Sequence, residues 1–464
     1  MAEPAAAVAI DRPPPSDLLG HPRGLWVLAG TELWERISFH GMQALLTLYM
    51  AGVLLLPGRA ENIVGFGDYR AAVESVTGPL STQALAAQTF GLYIGLVSFT
   101  PIFGGLIGDR WLGRRNSITL GALLMTAGHF CMSFDALFLL ALLLLILGAG
   151  FLRGNVSAQL RSLYPDGDRR AADAFQVYYL AINMGAFIAP LLTGGIQQGY
   201  GWHPAFATAG FGMLIGLVVY LWGTRHFPPD TLRQEAAARG KLTANEKARI
   251  YGLALVWPVA VCFWIAQSQV WNVYNLWLRD HADLLVGGFT VPVPWLSSLD
   301  GLAPAVMTPL VILWWRRQAK AGREPDLFVK LATGCLIFAA GVCWLALASW
   351  LADGDKVPLW WPIGFHLISN LGWIFFAPIA LALFAAQAPA ALRGTLIGIN
   401  TLSVSAASMI SGRIGGLYES LSPTTFWLVH AAIVGGGGLV MLLAARPLRR
   451  WFDAHRDHQD PAPG

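Results

Sequence analysis

The stretch TELWERISFHGMQALLTLYM, residues 31–50, sets Glu32, Glu35 and Arg36 inside a run otherwise apolar enough to lie in a bilayer. Carboxylates at i and i+3 with a guanidinium at i+4 share one face of a helix. Each charge held at mid-membrane costs about 2.5–3.5 kcal/mol on the translocon scale. A segment that keeps three such groups together must pair them or turn them toward a wet cavity. That pattern marks an ion or substrate pathway. The alternative is a structural ion pair that locks this helix in its bundle.

The rest of the chain has a matching composition. Of 464 residues, 55% are hydrophobic and 12% charged, and the mean hydropathy is +0.53. Such a chain is a polytopic membrane protein, and its net charge of +4 is better explained by topology than by nucleic-acid binding. Cys131, Cys262, Cys335 and Cys343 all fall in apolar segments without metal-ligand spacing, so they read as small buried hydrophobes and no disulfide framework is expected. The polar, Pro-rich start (DRPPPSD) shows no cleavable signal peptide.

Apolar runs of bilayer-spanning length predict an all-α membrane protein of twelve helices, near 25–55, 82–108, 116–134, 137–160, 173–198, 204–224, 251–279, 295–316, 328–352, 359–387, 394–418 and 424–445. The expected divisions are a disordered cytoplasmic start (1–24), a first six-helix bundle (25–224), a cytoplasmic linker (225–250), a second six-helix bundle (251–445) and a cytoplasmic tail (446–464). The linker carries Arg225, Arg233, Arg239, Lys241, Lys247 and Arg249. Basic turns follow the second, fourth, eighth and last helices, on the linker's side, so the positive-inside rule places both termini in the cytoplasm. A weak repeat supports two halves: PIFGGLIGDRWLGRRNS after the second helix resembles PLVILWWRRQAKAGREP after the eighth.

Further motifs follow in order. GGLIGDRWLGRR spans 104–115, FLRGNVS 151–157 and YYLAINMGAFIAP 178–190. CFWIAQSQ (262–269), WLSSLDGLAP (295–304) and LGWIFFAPIALAL (371–383) lie in the second half. With the opening stretch, whose E-x-x-E-R pattern precedes an aromatic–Gly pair, they resemble the proton-dependent oligopeptide transporters of the major facilitator superfamily. The likeness spans nearly the whole chain. It implies twelve transmembrane helices in two six-helix bundles around a midplane cavity, working by alternate access. Relative to the family pattern, Ser268 stands where the seventh helix usually has an acid and Trp373 where the tenth has a glutamate for the peptide's amino terminus. Arg153 stands for lysine, Phe39–His40 for two tyrosines, and Asp300 for asparagine.

Roles follow from chemistry and from the resemblance together. One of Glu32 and Glu35 is the natural proton acceptor, and Arg36 suits a substrate carboxylate because its planar fork binds bidentately. Arg153, at the family's lysine position, is either a second substrate-site cation or an arginine snorkelling to the interface. Asp300 either holds a substrate amine, serves as a second proton site, or caps the helix that begins after VPVPW. His40, one turn from Arg36, is a pH-sensitive group or a packed ring. Tyr93, Asn183 and Gln269 match family positions that hydrogen-bond a peptide backbone, or else bond between helices. Phe39 and Trp373 supply aromatic pocket area, with Trp373 alternatively facing lipid. Asp109, Arg110, Arg114 and Arg115 form a gating motif expected to latch the two halves.

No nucleotide-binding loop, nucleophile elbow or metal spacing is present in the sequence, which argues against an enzyme or an ATP-driven pump. The expectation is a proton-coupled symporter of di- or tripeptides or peptide-like compounds in the bacterial inner membrane. It needs no cofactor beyond the proton gradient, binds no nucleic acid and works as a monomer. The rivals are a divergent carrier of a modified peptide, an exporter of a hydrophobic or anionic compound, and a transport-inactive sensor.

Overall fold

The computed structural model describes residues 17–165, 167–230, 232, 242–389 and 392–455. Hydrocarbon offers no hydrogen-bond partners, so each apolar run closes its backbone bonds internally as a helix. Twelve long helices result: α1 (Arg23–Tyr49), α2 (Thr82–Phe99, continued by Pro101–Ile107), α3 (Arg114–Cys131), α4 (Phe138–Arg161), α5 (Arg170–Tyr200) and α6 (Trp202–Gly223) form the first half. The second half holds α7 (Ala244–Gln269, followed by Val273–His281), α8 (Leu299–Lys320), α9 (Leu327–Ala352), α10 (Trp360–Gln387), α11 (Arg393–Gly415) and α12 (Pro423–Ala454). Among the described residues, eleven helical spans are long and apolar enough to cross a membrane. The twelfth helix, α3, falls outside that set and begins with Arg114 and Arg115. Large apolar side chains such as Leu143, Val218, Trp222, Leu310 and Leu443 are exposed on the outside of the bundle, as a lipid-facing surface requires.

Several limits differ from those expected. Asp17–Leu18 pairs with His21–Pro22 in a short hairpin and α1 starts at Arg23, so residues 17–24 are ordered, while 1–16 lie outside the described residues. Helix α7 begins at Ala244, ahead of the expected 251, because Thr243 and Glu246 form a reciprocal capping box. Arg233, Arg239 and Lys241 of the linker lie outside the described residues. Helix α12 continues to Ala454, so the expected tail is helical over its first turns, with 456–464 outside the described residues. All four cysteines are unpaired, and Cys343 is exposed on its helix rather than buried.

Within the first half α1 packs on α5 and α6, and α3 on α4 and α6; in the second half α9 packs on α10 and α12, and α7 on α11 and α12. Glycine permits the closest approaches. A Cβ at Gly104 of α2 would stand 2.0 Å from the carbonyl oxygen of Gly150 on α4, the small-residue contact by which membrane helices associate. An even number of spans puts both chain ends on one face of the bundle.

The halves meet along two seams, α2 against α11 and α5 against α8. Both tighten toward the face remote from the chain ends. A Cβ at Gly91 would lie 2.4 Å from Ser408 O and 2.7 Å from Gly412 Cα, and one at Gly301 would lie 2.5 Å from Phe187 N. Hydrogen bonds reinforce the closure: Asn272 donates to Ala87 O at 3.1 Å, Thr47 donates to Asn272 Oδ1 at 3.1 Å, and Trp295 donates to Leu191 O at 3.0 Å.

Candidate functional site

The three charges of α1 lie together as their spacing requires, joined by a fourth from α4. Glu35 is fully buried and Glu32 is 1% exposed. Arg36 Nε donates to Glu32 Oε1 at 2.7 Å and lies 3.0 Å from Glu35 Oε2. Arg153 donates to Glu35 Oε1 from both Nε, at 3.0 Å, and Nη2, at 2.8 Å. Two carboxylates and two guanidinium groups thus form a charge-balanced quartet across α1 and α4. Glu35 Oε2 keeps only the ion contact, without hydrogen-bond geometry. The Phe39 ring completes the group, with the Arg153 guanidinium carbon 4.0 Å from its centroid.

The quartet borders a cavity of about 350 Å³ between the halves. Arg36, Phe39, His40 and Gln43 reach it from α1 and Arg153 from α4, while Glu32 and Glu35 sit behind the guanidinium groups. The opposite wall comes from α7 and the turn after it, through Trp264, Gln267, Ser268 and Trp271, and from α11 through Val404 and Ser408. Ser268 Oγ and Ser408 Oγ are 3.1 Å apart. His40 packs between rings, 5.2 Å from both Phe39 and Trp271. Arg153 therefore does not snorkel to an interface.

Five expected substrate residues do not line this cavity. Tyr93 is buried in α2 at 2% exposure. Asn183 bonds back to Tyr179 O, 3.0 Å away on its own helix. Gln269 is fully buried and donates across helices to Ser411 O at 2.8 Å, the interhelical alternative. Trp373 packs against the cluster formed by Val311, Ile374 and Phe375. Asp300 stands in the first turn of α8, but no side chain caps that helix. Its Oδ1 lies 2.8 Å from His366 Nδ1 and accepts from Asn370 Nδ2 at 2.8 Å. That oxygen is engaged, and the residue lies off the wall of this cavity. Asp300 Oδ2, His366 Nε2 and the Tyr274 hydroxyl are all buried without hydrogen-bond partners.

Among the described residues, the loop motif bonds within the first half and to the start of the linker. Asp109 pairs with Arg114 at 3.4 Å, and Arg115 donates to the carbonyls of Phe227 and Pro228 beyond α6. Arg110 is exposed. The start of α3 is met by Asp230, whose Oδ2 accepts from the Arg115 backbone at 3.0 Å. Gly113 there has φ +77°, and a Cβ would sit 2.6 Å from that carboxylate oxygen, so glycine is needed on both counts.

Of the α7 wall, the sequence singled out the CFWIAQSQ motif and Ser268 but not Trp264, Gln267 and Trp271 as cavity residues, although their signal was present. Residues 264, 267, 268 and 271 follow i, i+3, i+4, i+7 spacing, the mark of one helix face.

Two six-helix bundles around a charged central cavity define a membrane transporter of the major facilitator type. Comparison with known proteins agrees. The sequence profile of the POT family matches residues 115–244 and 235–428. The peptide transporter YePEPT of Yersinia enterocolitica is 26% identical over 521 residues, covering 95% of this chain and 97% of the relative. A di-/tripeptide transporter of Lactococcus lactis subsp. cremoris is 26% identical over 499 residues, covering 92% and 96%. The crystal structure of a variant of the peptide transporter POT in complex with alafosfalin superposes with a TM-score of 0.82 at 25% identity, covering 94% and 96%. The chain belongs to the POT family. It is a multi-span membrane transporter and not an enzyme.

Proposed function

We propose that this protein is a proton-coupled symporter that carries short peptides or peptide-like compounds across the bacterial inner membrane by alternate access, as a monomer with both termini in the cytoplasm. The names of its relatives support the peptide class. The observation that carries the coupling is the sharing of Glu35 between Arg36 and Arg153, both of which face the cavity.

A substrate carboxylate that engages either guanidinium competes with Glu35 for the same donors. A buried carboxylate left without its cation is costly, and neutralisation by a proton removes that cost. Substrate and proton binding thereby become mutually favourable, as symport requires. Glu32, held by Arg36, is the relay partner on the same helix face.

Asp300 is the second proton site of this reading, paired with His366 rather than with substrate. It adjoins Gly301, the tightest point of the α5–α8 seam, so a change of charge in this pair acts on the seam that must part. Asp109, Arg110, Arg114 and Arg115, with Asp230, hold the first half rigid while it rocks.

The test is uptake into proteoliposomes of a labelled dipeptide and its N-acetyl form, under an imposed proton gradient with a trapped pH dye. Peptide-dependent acidification of the lumen with at least one of them is the expected result. Tight binding with no flux of either contradicts it and favours a sensor.

A further inference from the structure

Resting on the peptide-carrier reading, the geometry points to a substrate class: we propose that this protein takes peptides or peptide-like acids whose carboxylate is free and whose amino terminus is blocked by a neutral group. The charged groups on the cavity wall are the two guanidinium groups of Arg36 and Arg153, with His40 beside them. The carboxylates nearest to hand, Glu32 and Glu35, are buried behind those cations and paired to them. Asp300 lies off the wall and is engaged by His366 and Asn370.

Every other described contributor to the wall is uncharged. A free α-ammonium group seated opposite Arg36 and Arg153 therefore finds no anion and surrenders its hydration uncompensated. An acylated nitrogen behaves differently. It carries no charge, presents one N–H and one carbonyl oxygen, and brings an apolar tail.

The wall facing the arginines matches those three features. Ser268 and Ser408 carry hydroxyls 3.1 Å apart, able to donate to a carbonyl. Gln43, 7% exposed, stands beside His40 and offers its side-chain amide to the ligand's amide N–H. Trp264 and Trp271 supply aromatic area for an acyl group or an apolar side chain. A cavity of about 350 Å³ is at the small end of ligand sites and suits a compound of two or three residues.

Binding to the purified full chain separates the possibilities with three probes: alanyl-phenylalanine, N-acetyl-alanyl-phenylalanine, and alanyl-phenylalanine amide. The acetylated acid is expected to bind at least about tenfold more tightly than the free dipeptide. The amide, which lacks the carboxylate and keeps the amine, is expected to bind at least about a hundredfold more weakly than the acetylated acid. Ser268→Glu or Ser408→Asp places a carboxylate on the wall and is expected to move the preference toward the free amine by about tenfold. Tighter or equal binding of the free dipeptide by the unmodified protein overturns the substrate class and leaves the peptide carrier intact. A preference untouched by both substitutions, in proteins that melt cooperatively, overturns it as well. Failure of the folded protein to bind any of the three overturns the carrier reading and this inference with it.

Discussion

Arg153→Gln is expected to abolish uptake and to weaken substrate binding by about a hundredfold or more. The arginine serves two partners at once. It donates twice to Glu35 Oε1, at 3.0 and 2.8 Å, and its guanidinium lies 4.0 Å from the Phe39 centroid while facing the cavity. Truncating one member of a buried pair typically costs about 3–5 kcal/mol, because the remaining charge is stranded. Glu35, fully buried, keeps only the contact with Arg36. It is expected to hold a proton throughout the cycle, so residual transport becomes insensitive to the proton gradient. Arg153→Lys keeps the charge but not the paired donors or the flat face over Phe39, and falls between. The double variant Arg153→Gln/Glu35→Gln is expected to recover thermal stability without recovering uptake, since removing both charges leaves neither unpaired. Wild-type affinity and gradient dependence in Arg153→Gln contradict this assignment.

Gly91→Leu is expected to lower uptake by at least tenfold for a mechanical reason. The glycine sits on the α2–α11 seam, where even a Cβ would stand 2.4 Å from Ser408 O and 2.7 Å from Gly412 Cα. Those are backbone atoms and cannot rotate aside, so the seam itself must open. Overpacking of this kind costs about 1–3 kcal/mol, and 1.36 kcal/mol is a factor of about ten in a population. The contact joins the halves and leaves packing within each half alone, so the protein is expected to remain folded. Spin labels at Gln83 and Ser420, on the closed face, are expected to report longer distances than in the parent protein. Unchanged distances with unchanged uptake contradict a carrier that closes along this seam.

The twelve helices were legible because hydrocarbon leaves the backbone little choice, and apolar length reports that directly. The ends were less so. Helix α7 starts at a capping box that its sequence, Thr243 to Glu246, does display, yet the apolar run begins later and dominated the expectation. The α1 quartet was half visible. Glu32, Glu35 and Arg36 lie within five residues of one another, so their meeting is local. The bond from Arg153 to Glu35 joins residues 118 apart in sequence, and periodicity carries no information about such a pairing. The resemblance to known transporters placed Arg153 near the site, whereas Tyr93, Asn183, Gln269 and Trp373 lie off the wall of this cavity. Asp300 is instructive in the same way. Its acidity was visible, but its partner His366 lies on another helix, 66 residues away in sequence.

Glu35→Gln tests the coupling most directly, because the amide keeps the size and the acceptor of the carboxylate while removing its titration. In proteoliposomes with an imposed proton gradient, this variant is expected to lose concentrative uptake and substrate-driven acidification. It is expected to retain exchange of labelled for unlabelled substrate across the membrane. Accumulation against a gradient by Glu35→Gln, with acidification equal to that of the parent protein, contradicts Glu35 as the proton carrier.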